Sequence, residues 1–300
     1  MNPAVDIIGV GGSGGFLASS LYQGGLPPRI LSRGAALRQL REVGLTILTD
    51  AKPRIYTPIN CKALDDVQEF APIILLATKS YDIPALLDEL APRVAPDTLF
   101  ITVQNGFAAH DALSNTFGPE RAIMGVLYVT AHIVSPAVID IKPGVARFFL
   151  PDVHQTILQP IVDALNAAGV ESALLYDIER RMWMKQLFHV PFAILNAEMR
   201  QPIGRICEDA QACARWGALA EEIAAIASAC GVHMPTDAAA ASLSVAEGFD
   251  PQADSSFARD VWAGRPHEAE ALIGPLLQRA RKYDVPCPLL QQAYRYYLRK

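Results

Sequence analysis

The chain has 300 residues, of which 51% are apolar, and carries 26 Lys and Arg against 31 Asp and Glu, for a formal net charge of −5. That length accommodates two domains, and the mildly acidic balance, without a basic block or aromatic–basic interleaving, argues against nucleic acid as a partner. Five scattered cysteines with no Cys-x-x-Cys pair fit reduced thiols and the cytoplasm better than a disulfide framework or a zinc site, so no metal is expected. Met1-Asn2-Pro3 lacks a basic n-region, and the apolar run after it is far too short for a secretion signal or a membrane span.

That apolar run, 4–9, reads as a first strand. It breaks into Gly9-Val10-Gly11-Gly12-Ser13-Gly14 and passes into a helical pattern over 13–24. A second strand at 29–32 ends in Ser32-Arg33. This is the spacing of a dinucleotide-binding strand–turn–helix–strand unit. Gly9 allows the tight turn off the strand, Gly11 lets the backbone approach a pyrophosphate, and Gly14 lets the helix pack close to the sheet. The helix N-terminus offers unpaired N–H groups and a positive dipole end to phosphates. Arg33 stands where an NAD site usually carries a carboxylate. A cation there suits a 2′-phosphate, so NADP is expected over NAD.

Further strands are expected at 45–48, 54–56, 72–77, 99–103 and 122–127, and helices at 34–42, 82–92 and 107–115. This alternation predicts a mostly parallel sheet covered by helices. Residues 129–150 hold β-rich pieces punctuated by Pro136, Pro143 and Gly144, which suggests antiparallel strands, and 156–168 reads as a helix ending at Gly169. Beyond about 175 the strand patterns stop and helices take over: 178–199, 206–230, 237–246, 254–262, 266–283 and 287–298. The expected architecture is therefore α/β, a doubly wound N-terminal domain (1–174) followed by an all-helical domain (175–300).

Several polar groups fall where chemistry is expected. The strand Leu75-Leu76-Ala77 runs into Thr78-Lys79-Ser80, and residues past the carboxyl ends of parallel strands line the ligand crevice. The next strand ends in Gln104-Asn105-Gly106, which is also a turn-forming sequence. Lys185 and His189 are four apart and share a helix face, and a histidine of ordinary pKa near roughly 6.5 would titrate in the working range. Pro191 follows, removes its own N–H and clashes with the Leu187 carbonyl, so a kink or break is expected there. Asp254, Ser255 or Ser256 can cap the helix that follows them. Glu268 is expected in the first turn of the last-but-one helix, where a carboxylate suits the dipole.

Taken in order, Gly9-x-Gly11-x-x-Gly14, Ser32-Arg33-Gly34, Thr78-Lys79-Ser80, Gln104-Asn105-Gly106, Trp183-x-Lys185, Ser255-Ser256 with Asp260, and Glu268 resemble the ketopantoate reductase (2-dehydropantoate 2-reductase) family over essentially the whole chain. The resemblance implies a Rossmann-like first domain, a helical second domain and NADPH as hydride donor. It implies reduction of a 2-oxo acid to a 2-hydroxy acid, with 2-dehydropantoate the first candidate. Another ketone, 2-oxo acid or imine, or a non-catalytic NADP sensor, are the alternatives. By position it implies Lys185 and Glu268 as catalytic, and Gly9, Gly11, Gly12, Ser13, Gly14, Ser32, Arg33, Lys79, Asn105 and Ala131 as cofactor-binding. Asn105, His189 and Ser256 are implied to contact a small carbonyl substrate, and a homodimer is a candidate assembly. The family helix usually carries asparagines four and eight residues after the lysine, and here those positions are His189 and Ala193. Its usual Asn-Gly shortly after the acidic residue is Ile273-Gly274.

Overall fold

The structure, a computed structural model, describes residues 3–49 and 52–298. In chain order the first part holds β1 (Val5–Ile8), α1 (Gly12–Gln23), β2 (Arg29–Leu31), α2 (Gly34–Glu42), β3 (Leu45–Leu48), β4 (Arg54–Tyr56), β5 (Cys61–Lys62), β6 (Ile73–Leu76), α3 (Ile83–Leu90), β7 (Leu99–Thr102) and α4 (Ala108–Phe117). It continues with β8 (Ala122–Met124), β9 (Val126–Tyr128), β10 (Ala131–Ser135), β11 (Val138–Ile141), β12 (Arg147–Pro151), α5 (Gln155–Ala167) and β13 (Glu171–Leu175). Helices alone follow: α6 (Ile178–Met199), α7 (Ile203–Glu208), α8 (Ala210–Ala229), α9 (Ala238–Ala246), α10 (Ser256–Trp262), α11 (Ala269–Lys282) and α12 (Pro288–Leu298). The chain divides into two compact units. One comprises the chain up to Gln104 with Ala109–Ile178, and the other Asn105–Ala108 with Glu179–Lys300.

The first unit is built on a six-stranded sheet of order β5-β2-β1-β6-β7-β8, parallel throughout. Every residue of β1, β6 and β7 is buried, as strands covered on both faces require. Side chains alternate between the two faces. Ile7, Ile30, Leu75 and Ile101 pack with Leu17 and Leu21 of α1 and Leu158, Ile161 and Leu165 of α5. Their neighbours Ile8, Leu31, Leu76 and Phe100 pack with Leu86, Leu87 and Leu90 of α3 and Leu113 of α4. The sheet is doubly wound, as expected. One carboxylate is buried within it: Asp6 of β1 sits opposite Arg29 of β2 and takes a two-pronged ion pair from it, each prong 2.7 Å. Asp6 also accepts the Ala71 N–H, so the buried charge is paired and its lone pairs are used. The β-rich stretch after β8 is indeed partly antiparallel: β10 pairs antiparallel with β11, and β12 with β9.

The second unit is helical, with two departures from expectation. The predicted helix 206–230 is two helices, because Asp209 ends α7 and caps α8 by accepting the Gln211 and Ala212 N–H groups. Of the kink or break expected at Pro191, the break does not occur: α6 runs unbroken through it. Proline leaves the Leu187 carbonyl without its helical donor. That carbonyl instead accepts a 2.6 Å hydrogen bond from the buried hydroxyl of Ser242 in α9. The same hydroxyl accepts the Trp216 indole N–H of α8 at 2.7 Å. The defect in one helix thus becomes a polar tie among three, set in an apolar cluster of Phe188, Phe192, Leu195 and Trp216.

Replacing this hydroxyl leaves two buried polar groups unpaired. Ser242→Ala is expected to lower stability by about 1–3 kcal/mol, measured by urea unfolding of the full chain. An unchanged midpoint would show that Leu187 and Trp216 do not depend on it.

Candidate active site

Because β2, β1, β6 and β7 are parallel and in register, with Ile8 opposite both Leu31 and Leu76, and Leu76 opposite Thr102, their carboxyl ends form one row. Gly9, Ser32, Ala77 and Val103 are the next residues along it. Gly9 has φ +97°, and its N–H donates to the Leu31 carbonyl at 3.0 Å. A Cβ at Gly9 would meet the Ala77 carbonyl at 2.9 Å, one at Gly12 the Ala131 carbonyl at 2.7 Å, and one at Gly14 the Gly9 carbonyl at 2.1 Å. These glycines are demanded by the fold itself. Gly11 differs. A Cβ there would meet only the Ile133 side chain at 3.6 Å, so its open side faces no backbone of the protein. Gly11 is also the N-cap of α1, no side chain caps the helix, and no acidic residue lies in its first turn. An uncapped helix start beside an open glycine fits a phosphate group, since unpaired N–H groups and the dipole both favour an anion.

Ser32 is half-buried, with its N–H on the Lys62 carbonyl. Arg33 is exposed at the N-cap of α2. Lys79 is half-buried at the start of the short turn that follows β6. Ser13 lies in the first turn of α1 and Ala131 begins β10. Gln104, which sequence reasoning treated only as part of a polar strand end, is buried. Its amide donates to the Leu76 and Thr78 carbonyls, both at 3.0 Å, and its oxygen accepts the Val103 N–H. It splices the ends of β6 and β7.

The remaining candidates lie in the second unit, Asn105 among them. The segment Asn105–Ala108 belongs to that unit, although the sequence places it between strand and helix of the first. Gly106 has φ +86° and comes so close that a Cβ would lie 3.2 Å from the Ala271 carbonyl. The Phe107 ring packs against Trp183, with centroids 4.6 Å apart, and the Arg279 guanidinium lies 4.5 Å over it.

Lys185 and His189 stand one turn apart on α6, each half-buried. Burial pulls the Lys185 ammonium down to about 8. Burial, and then the charge of Lys185, takes His189 down to about 3. His189 Nε2 is closed off from solvent and has no hydrogen-bond partner. The imidazole is therefore neutral at working pH, and the titration near 6.5 expected from its type is displaced.

Ser255, not Asp254 or Ser256, caps α10: its hydroxyl accepts the Ala258 N–H at 3.0 Å. Ser256 is half-buried at the first position of that helix. The loop before it is held by Asn196, a fully buried amide that sequence reasoning passed over. Its oxygen accepts the Ser255 N–H and hydroxyl, and its nitrogen donates to the Gln201 carbonyl and to Asp254. A lone polar side chain in an apolar stretch of helix was the available signal. Glu268 is the N-cap of α11 rather than a first-turn residue, and its side chain makes no capping hydrogen bond. Among the described residues no group of His, Cys, Asp and Glu is placed to hold a metal, and no helix is long and apolar enough to cross a membrane.

A doubly wound parallel sheet with a glycine turn on its first strand, followed by a helical unit carrying a half-buried lysine, defines a Rossmann-like α/β protein with a helical C-terminal part. The family profile of "Ketopantoate reductase PanE/ApbA" matches residues 5–151, and that of its C-terminal part residues 177–298. A 2-dehydropantoate 2-reductase of Mesorhizobium japonicum is 24% identical, over 95% of this chain and 94% of its own. Two solved structures share the fold. A dimeric ketopantoate reductase from Staphylococcus aureus has a TM-score of 0.83 at 21% identity, covering 98% of this chain and 96% of its own. A D-mandelate dehydrogenase with NADH and anilino(oxo)acetate has a TM-score of 0.87 at 18% identity, covering 97% and 96%. The chain belongs to the ketopantoate reductase family, and is an oxidoreductase of a family acting on CH–OH groups.

The glycine turn makes a paired prediction. Gly14→Ala must push α1 off β1 and is expected to cost at least about 2 kcal/mol of stability. Gly11→Ala, with room for its methyl, is expected to stay within about 1 kcal/mol of the parent. Equal thermal or urea unfolding of the two variants would contradict this division of roles.

Proposed function

We propose that the protein is an NADPH-dependent reductase of a 2-oxo acid, with 2-dehydropantoate the first candidate, and that Lys185 is its proton donor. The observation that carries this is the state of Lys185: a lysine on a largely buried helix, drawn down to about 8 and still charged at neutral pH. Family membership supplies the reaction class.

The row of strand ends supports the cofactor assignment. Gly9, Gly11, Gly12, Ser13 and Gly14 would hold the pyrophosphate, and Ser32, Arg33 and Lys79 the adenosine 2′-phosphate end, with Asn105 and Ala131 as further contacts. When bound there, a reduced nicotinamide would supply hydride-donor chemistry for a carbonyl carbon. The chain's own task is the oxygen. As negative charge builds on it, the Lys185 ammonium stabilises that charge and passes a proton from Nζ to the oxygen. A donor with a pKa near the working pH does this efficiently. Glu268 would anchor the lysine or the substrate, and Ser256 and Asn105 would contact substrate oxygens. His189, being neutral, would offer a hydrogen bond and not a positive charge, so a substrate carboxylate would find its cation elsewhere.

A second reading has its own observation. His189 is neutral and orphaned at Nε2, and Ala193 is buried in the helical core. Neither supplies the amide that the family usually carries at these positions, which favours a 2-oxo acid other than 2-dehydropantoate. The relative solved with NADH and anilino(oxo)acetate also bears on cofactor choice. Against an NADH assignment here stands Arg33, an exposed cation at the uncapped start of α2. The dimeric relative makes a homodimer part of the proposal, and five free cysteines suit the cytoplasm.

The test is oxidation of NADPH by the full-length protein with 2-dehydropantoate, other 2-oxo acids, simple ketones and imines. Turnover of a 2-oxo acid supports the proposal, and 2-dehydropantoate as the fastest substrate supports its narrower form. Tight NADPH binding without turnover across the panel would contradict it and favour a sensor. In the same assay Arg33→Ala is expected to weaken NADPH about tenfold or more, at about 1.4 kcal/mol per tenfold, and to leave NADH unchanged. Equal losses with both cofactors would remove the 2′-phosphate role.

A further inference from the structure

Seven buried side-chain polar atoms among the described residues have no hydrogen-bond partner, and three of them lie on α6: Trp183 Nε1, Gln186 Oε1 and His189 Nε2. They follow one another at intervals of three residues, along a single ridge of the helix. Gln186 is the middle one of the three. It is fully buried, and its amide nitrogen reaches only the Met182 sulfur, at 3.5 Å. A buried unpaired carbonyl destabilises a protein, and a hydrophobic residue of the same shape would not. Packing therefore does not explain a glutamine here.

Its neighbour does. Gln186 Oε1 lies 3.6 Å from where Gly106 would carry a Cβ. The turn that Gly106 forms is seated on the same ridge, with Phe107 on Trp183 and Arg279 over Phe107. With φ at +86° and the Ala271 carbonyl 3.2 Å from that Cβ position, the turn has little freedom to slide. Asn105 is the residue next along the chain. Gly106 and Phe107 fix the chain next to it, and the Gln186 carbonyl oxygen lies against that turn.

We infer that Gln186 is a positioning residue for Asn105, holding the Asn105–Gly106 turn in the place from which Asn105 contacts its ligand. This rests on the ligand-contacting role of Asn105 proposed above. The fully buried Trp183 packs beneath the same turn and has its own unpaired N–H. Both unpaired groups cost stability, as polar groups that serve a site can.

The test is a double-mutant cycle on the full-length protein, with steady-state kinetics on NADPH and 2-dehydropantoate, or on the fastest 2-oxo acid of the panel. Methionine matches the glutamine in shape and lacks its carbonyl. Gln186→Met is expected to unfold at an equal or higher urea concentration, yet to lose about tenfold in kcat/KM. Asn105→Ala is expected to lose at least as much. The double variant should lose no more than Asn105→Ala alone, because Gln186 acts through Asn105. A merely structural glutamine would move stability and leave the kinetics and their coupling untouched. An impaired Asn105→Ala beside an unimpaired Gln186→Met, or fully additive losses, overturns this inference alone. An unimpaired Asn105→Ala overturns the Asn105 reading and this inference with it.

Discussion

The first unit depends on how closely α1 approaches the end of β1. A Cβ on Gly14 would stand 2.1 Å from the Gly9 carbonyl oxygen and 2.9 Å from the Ala77 side chain, so hydrogen is the only substituent the fold admits there. From that approach much of the local geometry follows. The turn at Gly9 must reach φ +97°, its N–H is taken by the Leu31 carbonyl, and α1 starts without a side-chain cap. Further glycines serve the same closeness: Gly12 lies under the Ala131 carbonyl and Gly15 under Ile139. Of the glycines in this turn only Gly11 has open space beside it, which is the physical argument for the ligand proposed at that point.

The helical unit is organised around a different constraint, the cost of polar groups on a buried helix. α6 carries Lys185, Gln186, His189 and Asn196 within a run that is otherwise largely apolar. Each is handled differently. Asn196 is fully used, with both ends of its amide bonded to the loop that leads into α10. Lys185 and His189 answer burial by shifting toward their neutral forms, as desolvation requires. Gln186 has no charge to lose and keeps an unpaired oxygen. Pro191 adds a further unpaired carbonyl at Leu187, which Ser242 repairs. On α6 the unmet groups are those of Trp183, Gln186 and His189, on either side of Lys185 along the helix.

Much of this was legible in the residues. The glycine turn, the apolar strands and the change to helical texture near residue 175 are local signals, and the doubly wound sheet and helical second part follow from them. What stayed hidden is long-range. The carbonyl that Pro191 leaves open at Leu187 is taken by Ser242, 51 positions from the proline, so a local rule sees the lost donor and not its replacement. The split at Asp209 was readable as an N-cap but lay within a run of good helix formers. Asn105 falls between a strand and a helix of the first unit in sequence, yet its turn packs with Trp183, Ala271 and Arg279 of the second. The neutrality of His189 belongs to its surroundings and to the neighbouring charge, neither of which its residue type discloses.

The central claim is that Lys185 delivers the proton that completes carbonyl reduction. The most direct measurement is the pH dependence of kcat/KM for the carbonyl substrate at saturating NADPH. With Lys185 as the acid and its pKa near 8, the rate constant should be flat through neutral pH and fall about tenfold per pH unit above about 8, as the ammonium loses its proton. No limb should appear near 6.5, because His189 stays neutral. In Lys185→Met the residual rate should be lower by about a hundredfold or more and show no falling limb at that pH. A wild-type profile that stays level past pH 8, or a Lys185→Met variant that retains the same limb, would contradict the account.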